Sequence, residues 1–319
     1  ANAYHRHVEV ELWIPCQVEE HVDISLPYKM LASFLSKIQG DIQLSQENSQ
    51  KDGELDTYLL ITREAGRHKI GGTSLCDTHE PDRSEVNHSI NVSTEWVLSG
   101  RQISFAAAKD AGGFEEIRKI FVCFFGEAGW EMAATNSHRL SVARCFQEDE
   151  QETKEAEFSL LLNREIFFAL SAEPLQIQVT HRGSIHMYGE NLHIAQHHNE
   201  SARFPNYRRI LSAKNDSYFS IVCNRRALQH ANSIAQTMAS RGHGITRLEV
   251  SDRGEFCLKG DGEEMGHIVE KVPTEDISSF QDSTLEIQGK YFQEPLEKIE
   301  GEEVELYLYP LQKGENTGK

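Results

Sequence analysis

The chain has 319 residues, a formal charge of −18 and 39% apolar residues, which leaves room for two or three domains with ample core. The acid excess excludes a protein that coats nucleic acid with its whole surface, though it leaves a local basic face open. No apolar run is long enough to span a bilayer, and the N-terminus lacks the basic and apolar regions of a secretory signal, so no membrane partner is expected. Cys16, Cys76, Cys123, Cys145, Cys223 and Cys257 form no CxxC pair. Most lie in apolar or strand-like runs, as reduced core thiols of a cytosolic protein do.

In chain order, His7, Glu9 and Glu11 alternate with Val8, Val10 and Leu12, the pattern of one strand before Pro15. A strand without a preceding partner is a poor domain start, so a partner is expected upstream. Residues 24–26 read as a short strand, and Pro27 opens a helix over 26–39 with Leu31, Phe34, Leu35 and Ile38 on one face. Strands follow at 42–44, 58–62 and 69–73, with a polar loop over 46–56. The same grammar returns as strand 158–160, helix 163–170 and strands 175–180, 184–188 and 192–195. It returns again as strand 285–287, helix 290–299, with Pro295 expected to kink it, and strand 304–309.

A second unit interleaves with the first. Asn91 and Val92 lead into a helix over 94–109 and strands 117–125 and 130–135. The strand 220–222, helix 225–240 and strands 245–250 and 255–259 repeat it about 130 residues later. The order predicts an α+β chain of three repeated domains, over residues 1–85, 86–212 and 213–319, with the first half of the first absent. The acidic run 148–157 and residues 212–216 read as connectors, and 81–85 as a boundary.

The helices depart from the overall charge. Lys29 and Lys37 share the helix 26–39 with no acid, and Arg225, Arg226 and Arg241 share the helix 224–241 with none. Arg101 and Lys109 outnumber Glu95 on the helix between them. Either these are ordinary solvated faces, or they form one basic wall that holds duplex DNA by its phosphates without reading sequence. Arg164 and Lys290, on the remaining helices, join that DNA-facing set.

Other groupings lead nowhere. His193, His197 and His198 follow a turn in a strand-like run, and at strand rise the first two stand ~13 Å apart, too far to share an ion. His181, His186, His5 and His7 read as surface residues, and residues 260–264 as a hairpin turn rather than a cation loop. No Walker loop, GxSxG or HExxH is present, and no nucleophile has a base nearby in sequence. No metal, no cofactor and no catalysis are expected.

Two segments remain, Ala134-Thr135-Asn136-Ser137-His138-Arg139-Leu140 and Arg203-Phe204-Pro205-Asn206-Tyr207-Arg208-Arg209-Ile210-Leu211. Pro205 fixes its own φ and extends Phe204, so the second is a shaped turn. Its aromatics either plug a core or join the first segment in a peptide groove. In that groove Leu140, Pro205 and Ile210 form an apolar floor, His138 and Arg139 hold the loop and Tyr207 closes one side. The alternative is that these residues only seal the seam between domains two and three.

Together the two segments resemble the bacterial sliding clamp, the beta subunit of DNA polymerase III. The family pairs a Thr-Asx-small-His-Arg-Leu loop with an Arg-Phe-Pro-Asx-Tyr-Arg-Arg segment, in this order, around the pocket that binds polymerases. The resemblance implies the DNA-clamp fold, a head-to-tail homodimeric ring with helices inside and antiparallel sheets outside. The implied partners are duplex DNA, taken without sequence preference, and polymerase and clamp-loader subunits carrying short linear motifs. It adds Arg118 and Lys119 to the DNA-facing residues and Phe121, Thr135 and Ser137 to the pocket. It places the dimer contact near Ile70 and Met238. Two parts of the family pattern are not found, the first strand–helix unit of domain one and the closing hairpin with its Met-Pro-Met-Arg-like tail. Tyr309-Pro310-Leu311 imitates that tail but aligns with an earlier strand. The sequence thus predicts a clamp that tethers a polymerase to DNA. A reduced clamp-like module that recruits partners without encircling DNA is the second reading.

Overall fold

The structure, a computed structural model, describes residues 8–12, 16–19, 24, 26, 28–51, 54–72, 84–109, 114–146, 156–197, 203–212, 219–251, 253–277 and 283–308. Expectations for His5, His7, His198, Cys76 and Tyr309-Pro310-Leu311 lie outside these residues, as does most of the three connectors.

The chain begins with strand β1 (Val8–Leu12), helix α1 (Tyr28–Leu35) and the antiparallel meander β2 (Gln43–Lys51), β3 (Glu54–Arg63) and β4 (Gly66–Gly72). Leu59, Ile61 and Ile70 on one sheet face pack against Leu31 and Phe34 of α1, a small core. Two expectations fail here. Ile24 and Leu26 are not in a strand, and residues 46–51 and 54–56 are strand rather than loop. The β2–β3 ladder pairs Gln50 with Leu55 and Lys51 with Glu54. Polar strands of this kind are held by backbone pairing, with no apolar alternation to announce them.

The central body consists of β5 (Val86–Val92), α2 (Thr94–Ile103), β6 (Lys119–Phe124), β7 (Gly129–Thr135) and β8 (Leu140–Phe146). It continues with β9 (Phe158–Asn163), α3 (Arg164–Ala169), β10 (Leu175–Thr180), β11 (Ser184–Tyr188) and β12 (Leu192–His197). Each half's opening strand crosses to the other half's meander, giving sheets β8-β7-β6-β9 and β1-β12-β11-β10-β5. The exchange makes the halves inseparable. Their core holds Trp96, Ile120, Phe124, Met132, Leu162, Phe167, Ile177 and Ile194 between both sheets and both helices. A Cβ on Gly100 would lie 2.0 Å from the Phe167 ring, so α2 and α3 touch where only glycine fits. α2 ends at Ile103 and continues as a 3-10 turn, leaving Lys109 beyond any helix.

A short helix α4 (Arg208–Ser212) leads to the last body. This comprises β13 (Phe219–Asn224), α5 (Arg225–Ala239), β14 (Ile245–Val250), β15 (Phe256–Asp261), β16 (His267–Val272), β17 (Thr274–Ile277), β18 (Ser283–Gln288), α6 (Gly289–Lys298) and β19 (Glu303–Leu308). Strand exchange recurs, because β18 joins β14 in β16-β15-β14-β18 while β13 lies between β17 and β19. The Asn224 side chain caps α5 by accepting from the Ala227 N–H at 3.0 Å. Leu228, Ala231, Ala235 and Ala239 then turn one stripe of α5 to the sheet, and Ala235 comes so close that a Cβ on Gly260 would sit 1.8 Å from its carbonyl oxygen. α6 runs from Gly289 through Pro295 to Lys298, with Pro295 inside the helix and withholding one helical N–H.

α2 packs on α3 and α5 on α6. Gln102 of α2 donates to the Lys298 carbonyl of α6 at 2.7 Å, so the four helices form one row across the two bodies. Among the described residues no helix is long and apolar enough to cross a membrane.

Candidate functional site

The loop between β7 and β8 is organised by its own short side chains. Thr135 Oγ1 donates to the Arg139 carbonyl at 2.7 Å, and Asn136 Oδ1 accepts from the N–H groups of His138 and Arg139 at 3.1 and 3.2 Å. This Asx turn forces Ser137 to φ +71°, the left-handed region that small residues tolerate best. It delivers Leu140, half-buried, opposite Thr135 at the start of β8. Arg139 donates to the Phe105 carbonyl at 2.6 Å, pairs with Glu294 of α6 and stands 5.0 Å from the Tyr291 ring centre, on which His138 stacks. His138 and Arg139 therefore hold the loop by gripping α6, and the seam runs through these residues.

The linker segment lies on the outer face of the β8-β7-β6-β9 sheet. Along β6, Ile120, Val122 and Phe124 enter the main core while Phe121 and Cys123 face the other way. Phe204 stacks on Phe121 with centroids 5.2 Å apart, and Tyr207, 4% exposed, meets the same ring edge-on. So the aromatics do plug a small core, in which Phe204 stacks over a half-buried Phe121. Tyr207 is an anchor, not the wall of a groove. Pro205 is exposed and Ile210 is 71% exposed, so the apolar surface the linker offers comes from these two.

Tyr207 is held by Glu131, which sequence reasoning missed. Glu131 follows Trp130 and precedes Met132 on β7, and the period-2 alternation puts it beneath the linker, 3% exposed. Its carboxylate accepts from the Tyr207 hydroxyl, from Arg208 Nε and Nη2 at 3.0 and 2.7 Å, and from Arg144 Nε at 2.6 Å. A buried carboxylate is costly unless paired and bonded in this way. Burial alone raises the Glu131 pKa, but the bonds from Tyr207 and Arg208 and the arginine charges outweigh it and hold the group below its ordinary value. Burial and then Glu131 push the Tyr207 phenol up, and burial lifts the neighbouring Cys123 thiol to about 11 against the charge of Arg208. An acid inside an apolar strand was the available signal; its partners Arg144, Tyr207 and Arg208 are set by the fold.

The expected DNA-facing cations separate into two groups. Arg101 donates to the carbonyls of Phe167, at 2.7 Å, and Leu170, capping the end of α3. Arg225 donates to Leu296 and Gly301 carbonyls at 2.7 and 2.8 Å, capping α6. Lys119 pairs with Glu115, Arg164 with Glu165, and Arg118 is half-buried. Lys37, Lys109, Arg226, Arg241 and Lys290 are exposed and carry no ion pair among the described residues, while nothing is described of the Lys29 side chain. The helices also differ in sign. α5 has no acid, whereas α2 carries Glu95, α3 Glu165 and α6 both Glu294 and Glu297.

Ile70, expected at a dimer contact, is 6% exposed inside the first core, and Met238 is half-buried with its sulfur against Gly262. His186, expected at the surface, and His193, expected in a strand, are 3% and 6% exposed and lie 3.0 Å apart, Nδ1 to Nε2, beside Tyr188. Among the described residues no three His, Cys, Asp or Glu side chains gather as a metal site would require.

No family model matches the chain. Its sequence is 20% identical over 320 residues to the beta sliding clamp of Synechococcus elongatus, spanning 96% of this chain and 80% of that one. The beta chain of DNA polymerase III from Streptococcus pneumoniae superposes with a TM-score of 0.75 at 17% identity, over 95% of this chain and 80% of that one. The beta subunit from Thermotoga maritima gives 0.75 at 17% identity, over 94% and 78%. The Pseudomonas aeruginosa sliding clamp bound to griselimycin gives 0.72 at 15% identity, over 96% and 80%. Along nearly its whole length the chain is thus similar in sequence to a beta sliding clamp, and its fold is the fold of the DNA polymerase III beta subunits.

Proposed function

We propose that this protein is a sliding clamp, a non-catalytic cytoplasmic ring that encircles duplex DNA and tethers the replicative polymerase for processive synthesis. One observation carries the reading: two bodies of the same strand-exchanged design meet through their helices, which form a continuous row, while β1 extends the edge of a central sheet. The three clamp units would occupy residues 1–85, 86–212 and 213–319. β1 already illustrates how units join, since it pairs antiparallel with β12, the last strand of a meander. β4 and β16 hold the same position in their own meanders, and both are sheet edges among the described residues. Open edges are a liability unless covered. Head-to-tail pairing of β4 in one subunit with β16 in the next would cover both and close a dimer. Ile70 and Met238 then mark the neighbourhood of the contact rather than the contact itself.

DNA contact is electrostatic and falls to the exposed cations Lys37, Lys109, Arg226, Arg241 and Lys290, and Lys29 is assigned to the same set from its sequence. Arg101 and Arg225 support the wall from behind. The partner groove lies between the Thr135–Leu140 loop and the linker, where Leu140, Pro205 and Ile210 present the apolar surface for a leucine- or phenylalanine-bearing motif of polymerase and clamp-loader subunits.

The test is topological. The protein is loaded on nicked circular DNA by the cognate loader and its retention is followed before and after linearisation, alongside its mass at several concentrations. A ring dimer stays on the circle and runs off the linear form. A strictly monomeric protein, or equal retention on both forms, would overturn the reading in favour of a module that recruits partners without encircling DNA.

A further inference from the structure

Glu131 joins three pieces of chain through a single carboxylate. It belongs to β7, stands directly across from Arg144 on β8, and takes Tyr207 and Arg208 from the linker. β7 and β8 meet at the Thr135–Leu140 loop, and the linker carries Pro205 and Ile210. One carboxylate therefore fixes where the loop wall stands relative to the linker wall. The stacking of Phe204 on Phe121 holds the linker to the sheet but is tolerant of sliding, as ring contacts are. The carboxylate is not tolerant. Its Oε1 receives the Tyr207 hydroxyl and both Arg208 nitrogens, its Oε2 receives Arg144, and a shift of the linker by 1 Å would break charge-assisted bonds in low dielectric.

Stability alone does not require an ion at this position. Apolar residues of similar volume usually replace a buried ionic cluster without loss, so the cluster's distinctive contribution is geometric. We propose that Glu131 is a positioning residue for partner recognition: it sets the distance between the two walls of the groove, and so selects peptides by the spacing of their two apolar anchors. The proposal rests on the partner-groove reading above.

The experiment uses the full chain and two capped synthetic peptides, one ending in leucine and phenylalanine and one with the phenylalanine replaced by alanine. The wild-type protein is expected to favour the two-anchor peptide clearly. Glu131→Gln should weaken the two-anchor peptide about tenfold, the effect of one charge-assisted bond, and leave the single-anchor peptide unchanged, because that peptide does not span the walls. Tyr207→Phe, which keeps the ring and removes only the donated hydrogen, should give part of the loss, and the double variant no more than Glu131→Gln alone. It carries the same test should Glu131→Gln not fold. Equal two-anchor affinity in variant and wild type overturns the proposal. So does an equal fall for both peptides, whatever the melting temperature, which would mark a merely structural role. Absence of any binding by the wild type, with ring loading intact, instead removes the groove reading and this proposal with it.

Discussion

The linker site and the helix row hold charge in opposite ways. Beneath the linker, Glu131 is buried and each carboxylate oxygen has a donor, so position is fixed to within a bond length. Along the row, Arg226, Arg241 and Lys290 are exposed and unpaired with acids among the described residues, while the cations that are bonded, Arg101 and Arg225, serve helix ends. On the proposed function, the contrast follows what each surface would have to recognise. A linear motif is chosen by the spacing of its side chains and needs rigid walls. A phosphate backbone that slides past is held without register, by mobile cations in high dielectric. Rigid charge on the row would cost mobility, and mobile charge under the linker would cost selectivity.

The largest expected effect breaks the groove side of the comparison. Leu140→Ala should weaken a leucine-phenylalanine peptide about a hundredfold while leaving DNA retention intact, read by titration calorimetry beside circular-DNA loading. Equal peptide affinity in both proteins would remove Leu140 from the groove. Next, Arg226→Glu with Arg241→Glu should lower the salt dependence of DNA retention by about two phosphate contacts, with peptide binding unchanged. An unaltered salt slope would show that the row does not face DNA. Arg225 is left out deliberately, since its loss would uncap α6 and confuse folding with binding.

A smaller effect concerns pH. Glu131 has its folded pKa below the ordinary value of 4.5, so its contribution to stability is complete above the unfolded pKa and is lost as pH falls through the folded one. Denaturation midpoints of wild type and Glu131→Gln should differ by a constant amount at neutral pH and converge on acidification. A constant gap down to the acid transition would mean the carboxylate is not held as described. The smallest effect sharpens the division of the cations. Arg101→Ala should cost about 1 kcal/mol of stability through the lost cap on α3, yet leave DNA retention unchanged.

Most of the architecture was legible in the sequence, and the reason is visible in particular strands. The segments 175–180, 184–188 and 245–250 coincide with β10, β11 and β14, because each has one face on a large core and alternates accordingly. β8, β16 and β17 were not expected, nor was the distal part of β2 beyond Leu44. β8 and β16 are sheet edges with half-solvated faces, β17 is four residues long, and the distal part of β2 is polar on both faces. The loop and linker motifs stood out as sequence, and with them the resemblance to sliding clamps. Their roles did not. Tyr207 read as a groove wall and is a buried anchor; Arg101 and Arg225 read as DNA contacts and are helix caps; Ile70 read as an interface and is core.

What the sequence determined by itself is whatever depends on neighbours a few residues apart: the repeated strand–helix grammar, the Asx turn at Asn136 and the acid-free helix α5. Which side chains meet across 76 residues, as Tyr207 and Glu131 do, was decided only by tertiary structure. The reason is physical. An isolated arginine or glutamate has the same local signature whether it faces water, caps a helix or is buried, and desolvation and partners, which only the fold supplies, distinguish the three.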